Sequence, residues 1–140
     1  MRRQFLRWAV GAAVLFASGL LFVGCEDEDT SEEITATRFY VDRDLASYDG
    51  NDVYDWDTTL SQARFEIRIK DFRAGDANVR VYDAKGKLLL NAALVTQDYT
   101  IYVGDNEFTR IGQTATGTPG LWKVQLGYND FSGEQTITME

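Results

Sequence analysis

The sequence predicts an all-β domain folded as an antiparallel β-sandwich, and three observations carry that expectation. Residues 34–140 repeat a two-residue alternation of apolar and polar side chains, contain one proline, and place Gly, Asn and Asp clusters between strand signals every eight to twelve residues. No amphipathic stretch of helical period runs for more than a turn, and no repeat of 20 to 50 residues is present. A chain of 140 residues allows one such domain. Its length suffices to bury a core without disulfides, which a single cysteine could not supply.

The first strand signal sets Thr37, Phe39 and Val41 on one face. The clearest one, Ala63 to Lys70, alternates Phe65, Ile67 and Ile69 with Arg64, Glu66, Arg68 and Lys70, so one face is buried and the other wet. Val79 with Val81 marks a later strand, followed by Tyr99, Ile101 and Val103, then Trp122, Val124, Leu126 and Tyr128, then Ile137 and Met139. Asp83-Ala-Lys-Gly86 has the chemistry of a hairpin turn with Gly in the left-handed position. Gly104 to Asn106 and Asn129 to Gly133 read as two more turns, while Leu45 to Leu60 and Gln113 to Gly120 read as irregular.

Charge divides the chain. Of 14 basic and 22 acidic residues, three bases (Arg2, Arg3, Arg7) and no acid precede Cys25, so 11 bases stand against 22 acids from Cys25 onward. A surface of that sign repels phosphate backbones, and no nucleic-acid partner is expected. With no histidine and one cysteine, imidazole catalysis and Cys/His zinc sites are excluded. No Gly-rich phosphate loop is present, and a carboxylate pair of glycosidase type has no cleft to sit in at this size, so the chain reads as no enzyme and needs no cofactor.

Met1 to Arg7 is basic, and Trp8 to Gly24 is an uncharged, mostly apolar run of 17 residues, shorter than the roughly 20 of a comfortable bilayer span. It reads as a signal-peptide core. Leu20-Leu-Phe-Val-Gly-Cys25 resembles the lipobox of bacterial lipoprotein precursors, with Phe22 where leucine is commoner. The resemblance implies lipid on the Cys25 thiol, cleavage between Gly24 and Cys25, and acylation of the new amine. The membrane partner and a cell-envelope location follow, because two or three acyl chains hold firmly where one binds only marginally. Arg2-Arg-Gln-Phe-Leu-Arg7 is similar to the twin-arginine export motif, but paired arginines also orient an ordinary signal peptide, so the export route stays open.

Six acids among Glu26 to Glu33 follow the cysteine. They form a self-repelling tether. They also resemble the acid-rich sorting signals of surface lipoproteins in some Gram-negative groups, whereas in other bacteria an acid right after the cysteine implies retention at the inner membrane, so the leaflet stays open. The expected organisation is a signal peptide at 1–24, an acidic tether at 25–33 and the β-sandwich at 34–140. Within the last, Pro119 to Tyr128 followed by Phe131-Ser-Gly133 looks like the closing hairpin of bacterial extracellular modules of immunoglobulin-like and pre-peptidase C-terminal type. The sandwich is therefore expected to be immunoglobulin-like or jelly-roll-like, an analogy that transfers no activity.

Two constellations stand out as binding candidates. Asp42, Asp44, Asp49, Asp52, Asp55 and Asp57 crowd 16 residues with only Arg43 to offset them. Converging loop carboxylates supply the six to eight oxygens that Ca²⁺ takes, and the alternative is a solvated acidic loop. Tyr48, Tyr54 and Trp56 lie in the same stretch, either as a stacking platform for a ligand or as a plug at one end of the core. The function expected from these features is a monomeric, lipid-anchored envelope module that presents loops to a protein or glycan, with a Ca²⁺-dependent module as the alternative.

Overall fold

The computed structural model describes residues 29–93, 101–102 and 107–140. The signal segment, Cys25, the expected Gly104 to Asn106 turn, Tyr99 and Val103 lie outside the described residues. The described chain forms seven strands: β1 (Asp29–Thr35), β2 (Arg38–Thr58), β3 (Arg64–Tyr82), β4 (Leu88–Ala93), β5 (Ile101–Tyr102), β6 (Phe108–Gln113) and β7 (Gly120–Met139). All pairings are antiparallel, in the order β1-β2-β7-β3-β6-β5, with β4 also paired to β3. No described helix is long and apolar enough to cross a membrane.

β2, β3 and β7 are 21, 19 and 20 residues long, and each joins two stretches that the alternation pattern reads as separate. They bend together. The β2–β7 register slips between Leu45 and Gly50, and the β3–β7 register slips between Lys70 and Asp76. Left-handed residues sit at these slips: Ser47, Asp71, Gly75 and Asp130. Such bulges turn a strand without ending its ladder. Asn129 to Gly133, expected as a turn, is accordingly the bend of β7, and most of the irregular stretch Leu45 to Leu60 is strand.

The bend makes the sandwich. Phe39 and Trp56 lie on one strand, about 56 Å apart if it ran straight at 3.3 Å per residue, yet their ring centroids are 5.8 Å apart. The Trp56 indole N–H donates to the Thr35 carbonyl at 2.7 Å, and the Thr58 hydroxyl donates to the Ala36 carbonyl at 2.7 Å. One layer therefore holds β1, β5, β6 and the near halves of β2, β7 and β3. The other holds β4 and their far halves. Between them lie Phe39, Val41, Phe65, Ile67, Ile69, Ile137 and Met139 from the first layer and Trp56, Val79, Val81, Trp122, Val124 and Leu126 from the second, all buried. Each apolar residue expected inside, from Phe65 to Leu126, is inside; Thr37 is exposed, in the two-residue turn before β2.

Residues 29–33, expected as part of an acidic tether, belong to a strand. This strand is β1, paired with β2 from Asp29 opposite Asp44 to Thr35 opposite Arg38. Every residue of β1 is exposed, so no apolar alternation signalled it. Backbone pairing to β2 holds it there, and its charges discourage further strand addition at this edge.

Asp83 closes the β3–β4 turn as expected, with Gly86 at φ 81°. Its carboxylate also accepts backbone N–H bonds from Lys85 (2.9 Å), Lys87 (2.8 Å) and Thr118 (2.8 Å), tying the turn to the 114–119 loop. The Thr118 N–H, then those of Lys87 and Lys85, hold this carboxyl below its ordinary range against the opposing effect of burial. A depressed carboxylate contributes stability above its unfolded pKa of about 3.9, and that stability is lost as pH falls through the folded value. Asp83→Asn is expected to lower the urea midpoint at pH 7 and to narrow its deficit against wild type as both are acidified below pH 4. A deficit independent of pH would show that the carboxylate charge is not what Thr118 and the turn require.

Candidate functional site

The six aspartates do not come together. They lie along β2, whose alternation and bend send them to different surfaces. Asp42 accepts a hydrogen bond from Thr136 Oγ1 at 2.9 Å on the outside of the first layer, and Asp44 is exposed beside it in the ladder opposite Glu134. Asp49 accepts the Asp130 N–H at 2.7 Å at the bend. On the second layer Asp55 pairs with Lys123 at 3.2 Å and Asp57 is exposed opposite Leu121. No group of three or more His, Cys, Asp or Glu side chains fit to hold a metal ion occurs among the described residues.

Asp52 belongs to a cluster that the sequence reading passed over. Arg43 continues the inward face of Phe39 and Val41, so β2 carries its guanidinium into the sandwich beside the bend, where it is 5% exposed. Arg43 Nη1 donates to Asp52 at 2.5 Å, and the guanidinium carbon lies 5.0 Å from the Tyr48 ring centroid and 5.2 Å from that of Tyr128. The Tyr48 hydroxyl donates to Asp52 Oδ2 at 3.0 Å, and the Tyr128 hydroxyl donates to buried Gln135 Oε1 at 2.5 Å. Burial alone would push the Arg43 cation toward deprotonation, but the Asp52 hydrogen bond and the two tyrosines reverse this and hold it above its ordinary value. Burial raises the Tyr128 hydroxyl, which Arg43 only partly offsets.

This cluster explains the aromatic stretch. Tyr48 is engaged at the bend, half-buried Tyr54 packs edge-on against Phe39 at 5.7 Å, and Trp56 is fully buried, edge-on to Trp122 at 5.4 Å. Of the two roles open to these residues, Trp56 fills the core, because β2 alternation turns it inward with Tyr54. Its ring has no face left for a ligand. The signal for Arg43 and Gln135 was present in the alternation itself, since each occupies an inward position between apolar neighbours.

An open polar surface lies on the outside of the second layer. There β2, β7, β3 and β4 run side by side, and inward Val79, Val81, Val124 and Leu126 force their neighbours outward. One cross-strand row reads Asn51, Gly127, Asn78, Ala93, and the next reads Val53, Gln125, Arg80, Asn91. Gly127 leaves a gap in the first row, forming a shallow hollow of about 200 Å³ lined by Asn51, Asn78, Arg80, Gln125 and Gly127. Asn91 Oδ1 is 3.5 Å from both Asn78 Nδ2 and Arg80 Nε, at the limit of hydrogen bonding. Asn78 Oδ1 is buried with no hydrogen-bond partner among the described residues. The alternation Asn78, Arg80, Tyr82 against Val79, Val81 marks this face in the sequence, but which strands would lie beside it is a matter of topology.

No family model and no curated protein matches the chain. Among solved structures, the chain is similar to the structure of infectious bursal disease virus Gx strain, at 7% identity and a TM-score of 0.37, over 80% of this chain and 33% of that one. It is also similar to the enzymatically active domain of bacteriophage CBA120 tailspike protein 4, at 13% identity and a TM-score of 0.36, over 80% of this chain and 18% of that one. The chain thus spans a third or less of the length of these structures.

Proposed function

We infer that the chain is a non-catalytic module of a bacterial cell envelope, held on a membrane by lipid on Cys25, which binds a protein or glycan partner as a monomer. The observation that supports the binding half is the hollow over Gly127, where amide side chains and one arginine project from a four-stranded surface with no segment of the described residues packed across them. Sites on strands are held more firmly than sites on loops, so the binding surface is placed on this sheet face rather than on the loops. The anchor rests on the run from Trp8 to Cys25. With β1 starting at Asp29, three residues separate it from Cys25, which keeps the domain close to the lipid surface.

Mass spectrometry of the mature N-terminus tests the anchor. The expected product begins at Cys25 and carries a diacylglyceryl group, and Cys25→Ala is expected to accumulate as an unprocessed precursor. An intact Met1 terminus, or cleavage elsewhere with an unmodified thiol, would overturn the reading.

A further inference from the structure

We propose that the hollow over Gly127 binds a carboxylate-bearing glycan, with one uronic acid ring seated between Asn51 and Asn78 and its carboxylate on Arg80. This rests on the reading of the chain as an envelope binding module and names the chemistry of its ligand. Side-chain amides present a donor and an acceptor a few ångströms apart, the pattern that adjacent sugar hydroxyls satisfy. Asn51, Asn78 and Gln125 supply three of them around one glycine, with Asn91 in the adjoining row, and Asn78 Oδ1 has no hydrogen-bond partner among the described residues. The hollow of about 200 Å³ admits a single sugar ring.

Charge selects the class of sugar. The chain carries 22 acids, yet the two rows that form the hollow contain none. Acids enter only in the flanking rows, where Asp55 is paired with Lys123 and Asp76 lies opposite Asn129. Arg80 makes no ion pair among the described residues and has only the 3.5 Å approach to Asn91. A planar guanidinium held on a strand matches a carboxylate through two parallel N–H bonds. The net negative charge of the whole chain acts over distances that physiological salt screens beyond about 8 Å, whereas this contact is local.

Isothermal titration of the full mature chain in detergent, with oligogalacturonate and with its methyl ester as probes, tests the proposal. The two share a sugar skeleton and differ in the carboxylate. Oligogalacturonate is expected to bind about tenfold more tightly than the ester, and Arg80→Gln is expected to erase that preference while retaining ester binding. Gly127→Leu is expected to abolish binding of both. A Cβ at this position would lie 3.9 Å from its nearest neighbours, an ordinary contact, and a thermal melt checks that the variant keeps the fold. Equal binding of acid and ester would leave a glycan site but overturn the assignment of Arg80. Absence of binding, binding unaffected by Gly127→Leu, or a dimer that Gly127→Leu dissociates would overturn the proposal outright. The anchored-module reading is judged separately, by the N-terminus at Cys25.

Discussion

Trp122→Ala is expected to lower the unfolding free energy by about 3–5 kcal/mol, the range for deleting a buried tryptophan. Trp122 has no exposed surface, lies edge-on to Trp56 at 5.4 Å, and donates its indole N–H to the Thr118 carbonyl at 2.8 Å. Truncation opens a cavity against Trp56 and leaves the Thr118 carbonyl with only the longer bond from the Ala84 N–H at 3.4 Å, so the cost combines lost packing with a lost hydrogen bond. Urea denaturation of the wild type and the variant measures this. Trp122→Phe, which keeps a ring but not the N–H, is expected to fall between them. A Trp122→Ala midpoint equal to wild type would remove Trp122 from the centre of the sandwich.

Asp52→Ala is expected to cost about 3 kcal/mol, the lower end of the range for breaking a buried ion pair. The lower end applies because the Asp52 side chain is 34% exposed while that of Arg43 is 6% exposed, so water screens part of the loss. The substitution takes the carboxylate from Arg43 and the acceptor from the Tyr48 hydroxyl at once. Replacing Arg43 by Met in the same background is expected to restore part of the stability, because an unbranched apolar chain fills the space between Tyr48 and Tyr128 without a charge to compensate. A double-mutant cycle on the urea midpoints measures the coupling, and additive losses would show that the pair does not act as one unit.

The sandwich was legible because it is written in local terms. Phe65, Ile67 and Ile69, and Trp122, Val124 and Leu126, declare a buried face by alternation alone, and Asp83 to Gly86 declares a turn by its residue types. The bends were not legible. Asn129-Asp-Phe-Ser-Gly133 carries the same residues whether a strand ends or only turns a corner. What decides between these is the pairing of β7 with β2 and β3 on either side, which lies far off in sequence. The aspartates of β2 misled for the same reason, since Asp-rich, Gly-containing chain reads as loop until a neighbouring strand supplies its hydrogen bonds. The open face over Gly127 needed the order β2-β7-β3-β4, and no stretch of sequence contains that order.

The position of β7 has a consequence for the order of assembly. It lies between β2 and β3 in both layers, from Phe39–Met139–Phe65 at one end to Tyr54–Val124–Val81 near the other. β2 and β3 are not paired to each other anywhere along their length. Synthesis releases β2 and β3 first, and until β7 follows they have no shared partner and bury none of the central ladder. Folding is thus deferred to the arrival of β7, with contacts of high sequence separation and a correspondingly slow transition.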